Sequence, residues 1–277
     1  MAGKSNQPET KLLVIEDLRV EVGGKEILHH VDLEIKQGET HVLFGPNGSG
    51  KTTLLMATMG FPDYQITGGN ILFKGENITH MPLNERADLG IGLSFQRPPT
   101  IKGVKMRQML EICGSGEMDI ESMAQSLDFD EFLDRDLNDG FSGGEIKRSE
   151  LLQLMAQNPD FLLLDEPESG VDLENIALIG KAIEKLLQRE VEFHKGKSHK
   201  ELKSERKKAG LIITHTGYIL DYLDADIGHV LMDGELACIG NPREILKTIK
   251  EQGYNECVRC CGLNTSVLSK DKKIGSK

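Results

Sequence analysis

Short apolar runs alternate with amphipathic stretches along most of the chain. Runs such as Leu12–Ile15 and Phe161–Leu164 are strand-sized. The longer stretches between them carry apolar positions at helical spacing. The pattern predicts strands over 12–22, 27–35, 41–45, 70–74, 91–95, 161–165, 210–214, 227–232 and 235–239. It predicts helices over 50–59, 104–112, 119–127, 143–157, 173–190, 217–223 and 242–252. Strands alternating with helices make an α/β fold. The first strands are dense and closely spaced, which points to an antiparallel patch. Between 97 and 157 the pattern is helical and shows no strand, as expected of a lobe inserted into the α/β core.

Composition narrows the class. The chain has 277 residues, 38% apolar and 28% charged, the balance of a globular protein. It carries 44 acidic and 33 basic residues, a net charge of −11. Such a surface repels phosphate backbones, so no nucleic-acid partner is expected. No apolar run approaches the roughly 18 residues of a membrane span. The polar start MAGKSNQPET has no signal-peptide core. A cytoplasmic protein without direct membrane insertion is expected.

Two stretches depart from the rest. Residues 189–209 hold eight Lys/Arg and four Glu, a net of +4 in an acidic chain. A helix-to-strand connection normally needs about 2–6 residues, so this one reads as an insertion. It is either a solvated arm or a docking arm for an acidic partner. The tail after 253 carries Cys257, Cys260 and Cys261, and its last ten residues read as disordered. Three clustered thiols could bind a soft metal weakly or bind nothing. Cys113 and Cys238 stand apart and read as buried lone thiols.

The chemistry is concentrated in three places. Gly45-Pro46-Asn47-Gly48-Ser49-Gly50-Lys51-Thr52 matches the phosphate-loop pattern GxxxxGK[ST], the Walker A motif, between an apolar strand and a helix. Glycines let backbone amides wrap phosphates, and the helix N-terminus adds partial positive charge. Lys51 would bridge the β- and γ-phosphates, and the Thr52 hydroxyl would ligate Mg²⁺. The strand Phe161–Leu164 ends in Asp165 and Glu166. Asp165 would hold Mg²⁺ and Glu166 would polarise the attacking water. Phe141-Ser142-Gly143-Gly144-Glu145 opens a helix with a capping box. Its two glycines are superfluous for a cap, but bare backbone suits close approach of a phosphate.

With Gln96 after strand 91–95, Ser169-Gly170-Val171-Asp172 and His215, these motifs stand in the order of one family. The chain resembles the nucleotide-binding domains of ABC-type ATPases over about residues 12–252. The resemblance implies a RecA-like P-loop core with an antiparallel β patch and an inserted helical lobe. Residues 1–96 and 158–252 would be the ATP-binding core, 97–157 the signature lobe and 253–277 a cysteine-containing tail. It implies ATP and Mg²⁺ as ligands, with Thr53 also in the phosphate site. Gln96 would contact Mg²⁺ and water, His215 the γ-phosphate, and Asp172 the partner subunit. ATP would be sandwiched in a homodimer, with Ser142, Gly143 and Gly144 of one copy facing Lys51 of the other. Standing alone, His215 would read as a strand-end histidine.

Within that superfamily GFSGGEIKR, DEPESGVDLE and IKEQGY are similar to SufC-type ATPases of the SUF iron–sulfur assembly system. The resemblance implies SufB/SufD-type scaffold partners; the alternative is the ATPase subunit of a membrane transporter. The 189–209 insertion and the cysteine-bearing tail depart from the family. Val22 stands where many ABC ATPases put an adenine-stacking aromatic. Lys147 or Arg148, just after the signature, could pair with Glu166 as a resting-state brake.

Overall fold

The computed structural model describes residues 10–114, 118–188 and 206–268, with 262–268 as backbone alone. A six-stranded sheet forms the centre. It contains β3 (Thr40–Phe44), β6 (Ile91–Ser94), β9 (Phe161–Asp165), β10 (Ala209–Ile213), β11 (Ile227–Met232) and β12 (Glu235–Gly240). Their order is β12-β11-β3-β10-β9-β6, parallel except for the β11–β12 hairpin. β3, β9 and β10 are buried at every position, as strands covered on both faces must be.

The dense N-terminal strands do form an antiparallel sheet. β1 (Lys11–Val22), β2 (Lys25–Lys36), β4 (Tyr64–Phe73) and β5 (Glu76–Asn77) run in the order β2-β1-β4-β5. Its inward residues Leu13, Ile15, Leu18 and Phe73 pack with Leu54 and Leu55 of α1 (Lys51–Met59). They meet Phe161 and Leu163 from one face of the central sheet. Leu162 and Leu164 point to the other face, among Ile179 and Ile183 of α6 (Leu173–Leu186). One strand thus feeds two cores by simple alternation.

α2 (Leu83–Asp88) follows the antiparallel sheet. α3 (Met106–Cys113), α4 (Ile120–Gln125) and α5 (Gly143–Gln157) then supply the helices between β6 and β9. The expectation of no strand between 97 and 157 is corrected. β7 (Ile101–Lys105) pairs antiparallel with β8 (Asp136–Leu137), so α3 starts at Met106 rather than 104. The short ribbon escaped detection because β8 has only two residues and no period. The helix expected at 217–223 is a single 3₁₀ turn, Tyr218–Asp221. Gly217 before it lies in the left-handed region, with φ +73°.

Residues 189–205 of the expected insertion, and residues 269–277 of the tail, lie outside the described residues. Two helices close the described chain, α7 (Pro242–Gln252) and α8 (Tyr254–Leu268). Cys238 is not a lone thiol. It forms a disulfide with Cys261 that ties β12 to α8. Cys257 is buried and Cys260 exposed. The three tail thiols therefore do not act as one cluster. Among the described residues no group of three His, Cys, Asp or Glu side chains is placed to hold a metal. Among them also, no helix is long and apolar enough to cross a membrane.

Candidate active site

β3 delivers the chain to Gly45, and α1 begins at Lys51. A side chain at Gly45 would put its Cβ 2.3 Å from the Leu231 carbonyl oxygen, so only glycine lets the loop pass β11. Gly50 caps α1 with φ +104° and no side-chain bond. The loop Pro46–Ser49 therefore ends at a helix terminus whose first amides no side chain occupies, a ready anion site. Asn47 and Gly48 are exposed at its bend. Lys51 Nζ donates to the carbonyls of Gly45 and Pro46, 2.9 Å each. Burial pulls the Lys51 pKa down, and Glu166 and Asp165 push it back up. Ser49 Oγ is buried without a partner, and Thr53 is buried on α1.

β9 ends on Asp165, whose side chain is fully buried. Thr52 Oγ1 donates to Asp165 Oδ2 at 2.9 Å, while Oδ1 has no partner. Burial pushes the carboxyl pKa up, and the Thr52 bond draws it down. An unpartnered carboxylate oxygen beside a hydroxyl is a donor set that fits Mg²⁺.

Glu166 turns out of the strand in the left-handed region, φ +49°, a conformation that costs a non-glycine residue about 1–3 kcal/mol. Its two oxygens are both engaged. Oε1 lies 2.8 Å from His215 Nε2, and Oε2 accepts from Gln96 Nε2 at 2.8 Å. β6, β9 and β10 are neighbours in the sheet, which is why residues at and just beyond their carboxyl ends meet.

The brake expected from Lys147 or Arg148 is corrected. Lys147 is buried and donates to the Phe95 and Gln96 carbonyls and to Glu150. Arg148 donates to the carbonyls of Leu127 and Asp128. Glu150 also accepts from Ser94 Oγ and the Phe95 amide. This buried pair fixes the loop that carries Gln96, a role the sequence reading missed. Its one signal was opposite charges three residues apart on an otherwise apolar helix face.

Ser142 caps α5 through a reciprocal box with Glu145. Its glycines have a reason inside this chain. A Cβ at Gly143 would lie 2.3 Å from the Gly170 carbonyl, and one at Gly144 would lie 3.1 Å from Asn175. Asn175 is held in turn by Asp172, which caps α6. Site residues therefore fall into two groups. Lys51, Thr52, Asp165, Glu166, Gln96 and His215 form one; Ser142, Gly143, Gly144 and Asp172 form another. Among the described residues no hydrogen bond joins the groups. The tail also returns to the phosphate loop. Burial pushes the Tyr254 hydroxyl pKa up, and the Gly45 amide facing it draws it down.

Residues 28–169 match the family model described as ABC transporter. "Vegetative protein 296" of Bacillus subtilis (strain 168) is 35% identical over 273 residues, covering 94% of this chain and 98% of the relative. "Probable ATP-dependent transporter ycf16" of Cyanophora paradoxa is 35% identical over 263 residues, 89% of this chain and 95% of the relative. Among solved structures, a nucleotide-free ATP-binding cassette from an ABC transporter superposes with a TM-score of 0.69 at 23% identity, covering 89% of this chain and 98% of that one. A bacterial Atm1-family ABC exporter with ATP bound gives 0.69 at 21% identity over 93% of this chain and 44% of its own. At these identities the structures speak for the fold.

Proposed function

The chain belongs to the ABC transporter family of ATPases, and from that premise we propose that it drives a SufB/SufD-type scaffold in iron–sulfur cluster assembly. As a family member it is an ATP-hydrolysing enzyme that uses ATP with Mg²⁺. Family members dimerise around ATP.

One observation carries the finer reading. GFSGGEIKR, DEPESGVDLE and IKEQGY are together similar to SufC-type ATPases. The signature has Phe141 where transporters usually carry Leu, and Glu145 where they usually carry Gln. Phe141 sits edge-on to Phe129 and Phe132, so the aromatic is part of a packed cluster. Membrane transport is the second reading, favoured by the name of the Cyanophora relative, a probable ATP-dependent transporter.

In the proposed cycle the α1 terminus and loop amides receive the phosphates. Lys51 turns from its two carbonyls to the β- and γ-phosphates. Thr52 and Asp165 would hold Mg²⁺, assisted by Gln96, and the ion would supply positive charge against the phosphate oxygens. Glu166 orients a water and takes its proton as the water oxygen bonds to the γ-phosphorus. The bond from that phosphorus to the bridging oxygen breaks, leaving ADP and phosphate. Gln96 and His215 hold the two Glu166 oxygens, and His215 reaches the γ-phosphate. Ser142, Gly143 and Gly144 of a second copy close the site, and Asp172 lies at that junction. Dimer closure then strains the attached scaffold.

Co-expression with a SufB/SufD-type scaffold tests the reading. A complex should form, its ATPase rate should exceed that of the isolated chain, and its iron and sulfide content should fall when Glu166→Gln replaces wild type. A chain that ignores the scaffold and co-fractionates with a membrane protein is a transporter subunit instead.

A further inference from the structure

Glu168 is a buried carboxylate, 6% exposed, that the cycle above leaves unused. It lies two residues beyond Glu166 and lines the same cavity of about 280 Å³, together with Glu166, His215 and Thr216. Its Oε1 accepts two hydroxyls, from Thr214 and, at 3.1 Å, from Thr216. Those threonines are the two chain neighbours of His215. Each also fixes backbone beyond it: the Gly217 amide donates to Thr214 Oγ1 at 2.8 Å, and the Tyr218 amide to Thr216 Oγ1 at 3.3 Å. His215 itself sits in a bend after β10, outside regular structure. It has no ladder of backbone bonds to hold its ring against Glu166.

We propose that Glu168 is the positioning residue for His215, clamping Thr214 and Thr216 on either side so that the imidazole stays on Glu166. The inference rests on the assignment of Glu166 and His215 to hydrolysis. Three features carry it. One oxygen takes both hydroxyls, which places the two threonine side chains on the same anchor. The anchor sits on the turn that also carries Glu166, where the Ser169 amide donates to the Glu166 carbonyl at 3.0 Å. Base and imidazole are therefore referenced to one short segment, Glu166–Ser169. Finally, a carboxylate is a costly choice for a purely structural acceptor at this depth. Burial pushes its pKa up, and Oε2 has no partner.

The chemistry predicts a split between binding and turnover. The clamp touches no phosphate-loop residue, so nucleotide affinity should be spared while the step that uses His215 slows. Glu168→Gln keeps an acceptor oxygen for both hydroxyls and should hold kcat within about threefold of wild type. Glu168→Ala removes the anchor and should lower kcat at least tenfold, with the ATP Kd changed less than twofold. Thr216→Val removes one exposed hydroxyl and should fall between them; it keeps the test open if Glu168→Ala does not fold.

The decisive readout is independent of hydrolysis. In protein labelled at the histidine rings, the resonance lost in His215→Ala identifies His215. In Glu168→Ala or Thr216→Val that resonance should shift or broaden, while in Glu168→Gln it should stay in place. An unchanged His215 resonance with wild-type kcat in Glu168→Ala, or in Thr216→Val, overturns the clamp. Wild-type turnover in His215→Ala would instead remove the reading of the site on which the clamp rests.

Discussion

His215 Nε2 lies 2.8 Å from Glu166 Oε1, and Gln96 Nε2 lies 2.8 Å from the other oxygen of the same carboxylate. Glu166 is thus oriented from both sides by residues that follow neighbouring strands. An amide at 166 preserves the shape of this contact and removes the proton acceptor. Glu166→Gln should therefore bind ATP with near wild-type affinity and lose turnover by at least about a hundredfold, the usual weight of a general base. Equilibrium binding and single-turnover hydrolysis on the same preparation check this. Hydrolysis at the wild-type rate would sink the assignment.

Asp165 makes a second, opposite-signed prediction. Its buried Oδ1 has no partner, and burial disfavours its charge. Without ligand this carboxylate should destabilise the fold. Asp165→Asn keeps an acceptor for Thr52 and should raise the nucleotide-free melting temperature, a gain on the order of 1 kcal/mol. The same variant should lose Mg²⁺-dependent stabilisation by ATP. Thermal melts with and without Mg²⁺ and ATP measure both effects. A variant that melts below wild type in the absence of nucleotide contradicts the first, and retained Mg²⁺ dependence contradicts the second.

Arg86 supplies a stability prediction away from the site. It is 2% exposed and has four carbonyl partners: Met81, Ala57, Thr58 and Thr79, at 2.8–3.0 Å. Two of these belong to the last turn of α1, where a cation also complements the helix dipole. Truncation leaves several buried acceptors bare at once. Arg86→Ala should cost about 3 kcal/mol or more, and Arg86→Lys, with one nitrogen, should recover only part. Urea unfolding monitored by circular dichroism reads this directly. A loss below 1 kcal/mol would mean that water replaces the guanidinium without penalty.

The parts of this molecule legible in the sequence are those where a residue type serves one local purpose. Lys51, Thr52, Asp165 and Glu166 announce themselves because glycines, a buried strand and paired acids have few other uses together. The antiparallel sheet was legible from strand density. The clamp at Glu168 was not, since its partners lie 46 and 48 residues away and threonines before a turn carry no signal. Gly143 and Gly144 illustrate a subtler limit. They read as room for phosphate, yet Gly170 and Asn175 of the same chain already press against them. The Cys238–Cys261 disulfide joins residues 23 apart, and nothing in their spacing distinguishes it from two lone thiols.

The buried pair His41 and His229 carries the last prediction. They sit on adjacent strands β3 and β11, 0% and 3% exposed. His229 Nε2 is 2.9 Å from His41 Nδ1, and His41 Nε2 is 3.2 Å from Glu39. A consistent hydrogen-bond arrangement has His229 Nε2 donating to His41 Nδ1 and His41 Nε2 donating to Glu39. Burial, and then the neighbouring His41, pull the His229 pKa from 6.5 down to about 3. The unfolded chain therefore takes up a proton below pH 6.5 that the folded chain refuses until about pH 3. This stability is present in full above pH 6.5 and drains away as pH falls, at up to about 1.4 kcal/mol per pH unit. Between pH 7 and pH 5 wild type should lose about 2 kcal/mol through this residue alone. His229→Gln can still donate to His41 but cannot titrate, so its unfolding free energy should fall less over the same interval. Urea titrations of both proteins at pH 7, 6 and 5 give the difference. Parallel pH dependences would show that His229 binds its proton in the folded state as readily as in the unfolded one, against the burial argument.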